Sequence, residues 1–226
     1  MCQNPVMRER RHEVTRLEGF SDAVFAFALT LLVVNLEVPK TTLELTKLAR
    51  GFLPFAIMFA MVCWIWYEHN TFFRRYGLQD GWTVFLNSVL LFTVLFYVYP
   101  LKYLTLALYG QFFGVPDSPE LGNGRLLMLL YSSGVVVIFT TIALLYVHAW
   151  WRRHDLNLTQ LEQVALRYGG RAHVLTAFVG VLSILIVTVR PQWPHIAGLV
   201  YFLIGPLQTL NGFQAGKAQR KLEAGA

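Results

Sequence analysis

The chain has 226 residues, of which 55% are hydrophobic, 15% aromatic and only 14% charged, with a formal net charge of +6. Soluble domains of this length carry about a quarter charged residues, so the composition argues against a soluble globular protein. The charges are concentrated between long apolar runs, which is the pattern of an integral membrane protein. Because the basic residues fall in those short connections, they indicate membrane topology and not a nucleic-acid partner.

Six segments are long enough to cross a hydrocarbon core of about 30 Å at about 1.5 Å per residue of helix. They form one six-span domain over residues 16–214, between an N-terminal tail (1–15) and a C-terminal tail (215–226). Proline or glycine is expected to mark most span ends, including Pro100. The predicted spans are 18–38, 52–73, 82–104, 126–150, 172–190 and 194–214.

The distribution of lysine and arginine predicts the orientation. With the N-terminus inside, 13 of these residues fall on the cytoplasmic side and 6 outside, which favours cytoplasmic N- and C-termini. The first apolar run has no small-residue cleavage site after it, so it is interpreted as a retained span and not as a signal peptide. The largest inside loop, 155–170, is predicted to form a short amphipathic helix that Gly169 and Gly170 terminate.

Three polar residues lie inside the first three spans. Asp22, His69 and Asn87 are each about 7–9 Å of helix from the predicted inner interface. Because successive spans alternate in direction, their side chains are expected at one level, with Ser21 and Arg16 beside them. A carboxylate in lipid is costly unless it faces the bundle and finds polar partners. The cluster is interpreted either as a hydrogen-bonded clasp between the three spans or as a proton relay.

The remainder of the first span carries an apolar stripe. At about 100° per residue, Phe27, Leu31 and Val34 lie on one narrow face, with Thr30 at its edge. The intervening residues are equally apolar, so periodicity alone indicates only a side that faces lipid or the protein core.

Three linked motifs resemble those of a known channel family. The pattern R-x-x-x-F-S-D-x-x-x-A occupies residues 16–26 and is followed by 30-TLL-32. The next two motifs are Trp66, His69 and Phe73 in the second span, and Asn87, Leu91 and Pro100 in the third. Together they resemble the FSD-motif potassium channels, the family of the lysosomal channel transmembrane protein 175 and its bacterial relatives.

The resemblance implies a homotetramer of six-span subunits in which four copies of the first span line the pore. The pore positions and hydrophobic constriction that it implies are Phe27, Thr30, Leu31 and Val34. It also implies a hydrogen-bond network around the FSD motif that fixes the rotation of the first span. The residues of that network are Arg16, Phe20, Ser21, Asp22, His69 and Asn87. Near the outer end of the same span, Asn35 and Glu37 are predicted at the pore mouth, where fourfold symmetry would form a ring of Glu37 carboxylates.

The leading hypothesis is therefore a potassium-selective cation channel in a bacterial cell membrane, with potassium as the permeant ion and no cofactor. It would lack the TVGYG filter loop, since the segment 109-YGQFFG-114 is not one. The alternative is a proton-coupled transporter or proton-conducting channel with Asp22 and His69 as titrating groups, although the sequence shows none of the internal repeats typical of transporters. No catalytic Ser/His/Asp set and no metal-binding motif appears, so an enzyme is not indicated.

Overall fold

The computed structural model describes residues 14–33, 40–42, 45–46, 49, 51–115 and 118–224. Regular secondary structure in these residues is entirely helical, which confirms the predicted all-α fold. One turn of 3₁₀ helix, Val200–Leu203, lies within the last helix. The helices with bounds in the described ranges are α1 (Arg16–Val33), α2 (Phe52–Tyr76), α3 (Gly81–Phe113), α4 (Gly124–Trp151), α5 (Gln160–Val189) and α6 (Pro194–Ala224).

Five of the helices in the described ranges, α2 to α6, are long and apolar enough to cross a membrane. The described part of α1 has 18 residues and includes three charged side chains, Arg16, Glu18 and Asp22. All three charges lie in its first two turns, so the apolar part of α1 begins at Ala23.

Helix α1 is capped at its start and packed along one side. The backbone N–H of Thr15 donates to Glu18 Oε2 over 2.9 Å, and the backbone N–H of Glu18 donates to Thr15 Oγ1 over 3.2 Å. This reciprocal cap satisfies amide groups that the first helical turn leaves without partners. The side facing the bundle carries the buried residues Ser21, Phe25, Ala28 and Leu32. Since these recur at helical spacing, the opposite side of α1 faces away from the bundle.

Pro100 lies inside α3, so the expectation that it marks a helix end is wrong. A proline removes one backbone donor and crowds the preceding turn, but transmembrane helices tolerate it where neighbouring elements hold the segment. Here Tyr97, one turn before the proline, and Leu101, directly after it, are both buried. Two residues beyond the proline, Lys102 Nζ donates to the carbonyl oxygen of Leu32 over 3.0 Å. Helix α3 thereby contacts the backbone at the end of the described part of α1.

Gly169 and Gly170 lie within α5, so the predicted helix end at these glycines is also wrong. Their role is close packing against α4. A β-carbon added at Gly169 would lie 2.6 Å from Cε1 of Tyr146, and one at Gly170 would lie 3.1 Å from its Cβ. The absence of side chains lets the two helices approach closely, as small residues do in membrane helix pairs.

We expect Gly169→Ala to destabilise the folded protein by about 1–3 kcal/mol, because the added methyl group displaces the Tyr146 ring from a packed site. Thermal unfolding in detergent, followed by intrinsic fluorescence, measures the change. The matched control is Gly212→Ala in α6, where an added β-carbon meets nothing within 4 Å. Alanine is the better helix former, so this control should unfold at the same temperature as the wild type or slightly higher. Equal melting temperatures for the two variants would contradict the packing role.

Candidate pore helix and its polar network

A chain of three buried polar side chains links α1, α2 and α3. Asn87 Nδ2 donates to Ser21 Oγ over 2.9 Å, and Asn87 Oδ1 lies 2.8 Å from His69 Nε2. The Ser21 hydroxyl donates in turn to the carbonyl oxygen of Leu17 over 2.8 Å. Ser21, Asn87 and His69 are at most 2% exposed. Of the three residues predicted at one level, His69 and Asn87 are in direct contact, and their third partner is Ser21 and not Asp22.

The hydrogen bonds of this network have a fixed direction. Since the Ser21 hydroxyl gives its proton to Leu17, its oxygen accepts from the Asn87 amide nitrogen, and the Asn87 amide oxygen can only accept. His69 Nε2 therefore carries the proton that it donates to Asn87. Within the described residues, the buried His69 Nδ1 has no hydrogen-bond partner. A doubly protonated ring would bury an unpaired N–H, so the geometry favours a holding role over a proton relay.

Two buried phenyl rings enclose the imidazole of His69. The ring centroid of Phe73, the last residue of the second motif, lies 4.5 Å from that of His69. The ring of Phe25, on the bundle side of α1, lies 5.5 Å from it. Both phenylalanines are 2% exposed. By excluding water, they lower the local dielectric constant and strengthen the hydrogen bonds beside them.

Asp22 makes a different contact from the one predicted with Ser21, His69 and Asn87. Its Oδ1 accepts a hydrogen bond from the indole Nε1 of Trp66 over 2.7 Å, and its side chain is exposed. Adjacent helical residues project about 100° apart. When Ser21 points into the bundle, Asp22 must point along its flank, toward α2. The motif therefore makes two separate contacts, the serine with α3 and the aspartate with α2.

The side of α1 that faces away from the bundle carries Phe27 and Thr30. Phe27 is 57% exposed, and the exposed Thr30 donates its hydroxyl to the carbonyl oxygen of Phe27 over 2.7 Å. Ala23 and Ala26 are exposed on the same face. Leu31 is half-buried and packs against the core, so it lies at the margin of this face. Thr30, predicted at the edge of the stripe, lies nearer the middle.

The remaining predicted site residues fall into two groups. Arg16 and Phe20 are exposed on the same outward side of α1, and Phe20 has no polar group to contribute to a hydrogen-bond network. Val34, Asn35 and Glu37 lie outside the described residues.

Sequence comparison gives the family. The family model of the endosomal/lysosomal potassium channel TMEM175 matches residues 16–97. This region contains the first two motifs and the third motif as far as Leu91, without its Pro100. A potassium channel of Marivirga tractuosa is 38% identical over 234 residues, an alignment that covers 97% of this chain and 94% of that protein. The chain belongs to the TMEM175 potassium channel family.

Solved structures of TMEM175 channels share the fold. The crystal structure of a variant of the potassium channel MtTMEM175, in complex with a nanobody–MBP fusion protein, has a TM-score of 0.83 and 37% identity. The structural alignment covers 95% of this chain and 99% of the MtTMEM175 chain. The crystal structure of a lysosomal potassium-selective channel TMEM175 homologue from Chamaesiphon minutus has a TM-score of 0.54. The alignment covers 91% of this chain and 99% of the homologue. At 22% identity, that likeness shows the fold alone.

Membership in the TMEM175 family confirms the predicted resemblance and the predicted location as a multi-pass protein of the cell membrane. The family is one of ion channels and not of enzymes. Among the described residues, no group of three His, Cys, Asp or Glu side chains could hold a metal ion.

One further polar contact of this TMEM175 chain was missed by sequence reasoning. Asp80 caps α3 through Oδ1, which accepts from the backbone N–H groups of Trp82 and Thr83 over 3.0 and 3.1 Å. Its Oδ2 lies 2.8 Å from His148 Nε2, near the end of α4. Partial burial acts to raise the pKa of Asp80, but hydrogen bonds from His148 and Thr83 outweigh it and hold the pKa below its ordinary value. Asp80 before an apolar run is a recognisable N-cap, yet nothing local indicates its distant partner.

The lowered pKa of Asp80 predicts a pH-dependent contribution to stability. That contribution is present above the ordinary carboxyl value of 3.8 and is lost as the pH falls through the lower, folded-state value. Asp80→Asn keeps an oxygen that can cap α3 but cannot ionise. We therefore expect wild type to be more stable than Asp80→Asn near neutral pH, with the difference in melting temperature shrinking below about pH 4. The control is Asp155→Asn, at an exposed carboxylate; an Asp80→Asn difference that is constant with pH would contradict the prediction.

Proposed function

We propose that this chain forms a potassium-selective cation channel in which four copies of α1 surround the pore of a homotetramer, with both termini cytoplasmic. The observation that carries the proposal is the outward face of α1. Phe27 and Thr30 are exposed on a helix whose opposite side is fixed to α2 and α3. A closed cyclic assembly presents the same face of every copy to one common axis. The relatives named as potassium channels support the choice of ion.

In this assembly the side chains of Phe27 form an apolar ring, which Leu31 and Val34 extend along the axis. A narrow apolar neck expels water, so an ion meets a desolvation barrier even where its path is sterically open. Movement that widens or wets the neck then opens the channel. No TVGYG filter is involved, since the sequence contains none.

Thr30 is suited to assist the ion at this level. Its hydroxyl proton is engaged by the carbonyl oxygen of Phe27 over 2.7 Å. The lone pairs of the hydroxyl oxygen are therefore left for another partner, and a cation requires oxygen acceptors to replace its lost hydration. Four copies of Thr30 supply four such oxygens beside the apolar ring.

The buried network sets the rotation of α1 in this proposal. Ser21 and Phe25 fix one side of the helix to α2 and α3. At about 100° per residue, Phe27 projects about 160° from Phe25 and 120° from Ser21. Holding these two residues therefore directs Phe27 toward the axis, and the polar groups act without touching the ion.

Reconstitution into planar bilayers, with reversal potentials measured in mixed potassium and sodium, tests the function. We expect the reversal potential to follow the potassium gradient and to stay unchanged when a proton gradient is imposed. A reversal potential that follows the proton gradient would favour a proton-conducting channel instead. Substrate-coupled flux without single-channel currents would favour a transporter.

Glu37, which follows the described part of α1, is proposed to form a ring of carboxylates at the outer mouth. Such a ring concentrates cations at a narrow entrance, and salt screens the effect because the Debye length shortens from about 30 Å at 0.01 M to about 3 Å at 1 M. We expect Glu37→Gln to reduce inward conductance at low salt and much less at high salt. Glu120→Gln, on the same predicted side of the membrane, is the control. An unchanged low-salt conductance in Glu37→Gln would remove this residue from the permeation path.

A further inference from the structure

A groove with a volume of about 320 Å³ lies between the last turns of α4 and the first half of α5. Its walls are mainly apolar and include Ala143 and Val147 from α4 and Leu166 and Val174 from α5. It opens beside Gly170, where the lack of a side chain leaves the ring of Tyr146 on the groove wall. The apolar walls of the groove therefore suit a hydrocarbon chain.

One end of the groove is basic. Of the residues that line it in the described part of the chain, two are arginines, Arg167 and Arg171, and none is acidic. The Arg167 guanidinium lies over the ring of Trp150, with Cζ 5.0 Å from the ring centroid, and Arg153 Cζ lies 4.8 Å from the same centroid. A cation–π contact uses the charge of a guanidinium and none of its N–H donors, which leaves these groups for an anion.

The second arginine of the groove also keeps donors for a ligand. Arg171 Nη1 donates to Gln214 of α6 over 2.6 Å, which positions the side chain. A guanidinium has five N–H donors, so this single bond leaves most of them for another acceptor. Arg167 and Arg171 are one helical turn apart, so both can reach one phosphate group.

The acidic groups nearest in sequence to this basic end are engaged elsewhere. Asp155 Oδ2 accepts from Arg152 over 2.9 Å. Glu162 accepts from the backbone N–H of Thr159 over 2.8 Å, in the capping box of α5. The contacts shown for these two carboxylates are thus to Arg152 and to the helix cap, and the residues that line the groove itself include no carboxylate.

We propose that this groove is a binding site for an anionic phospholipid, with an acyl chain along its apolar part and the phosphate at Arg167 and Arg171. The basic end lies at the same end of α4 and α5 as the connection 152–159, which is predicted to be cytoplasmic. Basic pockets between membrane helices on that side suit lipid headgroups. A soluble phosphate would use the arginines but gain nothing from the apolar wall, so the two parts together favour a lipid.

Native mass spectrometry of the full chain, extracted from nanodiscs that contain phosphatidylglycerol and phosphatidylcholine, tests the charged part of the site. We expect wild type to retain phosphatidylglycerol, and Arg167→Gln or Arg171→Gln each to reduce its apparent affinity about fivefold. Arg167→Lys keeps the charge and should keep most of the binding. Arg220→Gln, at an exposed basic residue of the C-terminal part of α6, is the control. Equal retention in all four variants would overturn the proposal.

A second pair of variants tests the apolar part while leaving both arginines in place. Val174→Trp fills the groove, whereas Val181→Trp places the same ring two turns further along α5, also at an exposed position. We expect only Val174→Trp to lose phosphatidylglycerol, with an unchanged melting temperature and elution volume. Loss of the assembly in Val174→Trp without any change in lipid retention would show that a second copy of the chain fills the groove. Displacement of the bound lipid by glycerol 3-phosphate would show a site for soluble anions, and either result would overturn the proposal.

Discussion

Asn87→Ala is expected to lower the stability of the folded protein by about 1–3 kcal/mol and to reduce the yield of assembled channel. Asn87 makes two bonds, to Ser21 and His69, and its removal leaves the buried His69 Nε2–H without its acceptor. Interhelical polar contacts in membranes average roughly 0.6 kcal/mol, but a buried donor left unsatisfied costs about 1–3 kcal/mol. Thermal unfolding and size-exclusion chromatography in detergent measure both effects.

The neighbouring Ser88→Ala is the matched control for this prediction. Ser88 is exposed, and among the described residues its side chain bonds the carbonyl oxygen of Val84 within its own helix, so its loss should change stability little. The loss of stability in Asp22→Ala should lie between those of Asn87→Ala and Ser88→Ala, because this change removes one exposed hydrogen bond, to Trp66. If Asn87→Ala unfolds at the same temperature as Ser88→Ala, the network does not hold α1.

The depth of the polar groups could be predicted from the sequence because helical rise is constant. Counting residues from the inner interface places His69 and Asn87 at the level of Asp22, and the structure brings these two into contact with each other and with the adjacent Ser21. The direction of each side chain around its helix was harder to predict. An error of one residue rotates a side chain by about 100°, and Asp22, which the sequence predicts in the network, instead contacts Trp66.

Proline and glycine do not mark the helix ends at two places in this chain, because packing between helices decides the local structure there. A proline or a pair of glycines favours a helix end in an isolated segment. In this chain Pro100 lies in a helix held by the buried residues Tyr97 and Leu101, and the glycines of α5 allow contact with Tyr146. Neither partner can be recognised before the helices are placed side by side.

Contacts between distant segments were the least predictable. Asp80 and His148 are 68 residues apart, and each alone has an ordinary interpretation, as a helix cap and as an interfacial histidine. The pairing requires that the start of α3 and the end of α4 lie together on one side of the membrane. The alternation of spans allows that arrangement, but it does not select which neighbours touch.

Phe27→Asn is expected to raise the potassium current of the reconstituted channel. In the proposed tetramer, four amide groups would replace four phenyl rings and allow water to fill the neck. A barrier lower by about 1.4 kcal/mol raises the rate of ion passage about tenfold. Thr30→Val removes the hydroxyl oxygens at the same level, so potassium conductance or selectivity should fall instead. Bilayer currents at equal protein density measure both changes.

Two controls separate a pore position from a general effect of polarity. Phe92→Asn makes the same replacement at a 74% exposed phenylalanine of α3, which the proposed pore does not use. Leu29→Asn places the amide on the half-buried flank of α1, away from Phe27. Leu31→Asn, at the margin of the outward face, should raise the current less than Phe27→Asn. If Leu29→Asn opens the channel while Phe27→Asn does not, then α1 turns in the assembly and the pore is lined by its other flank.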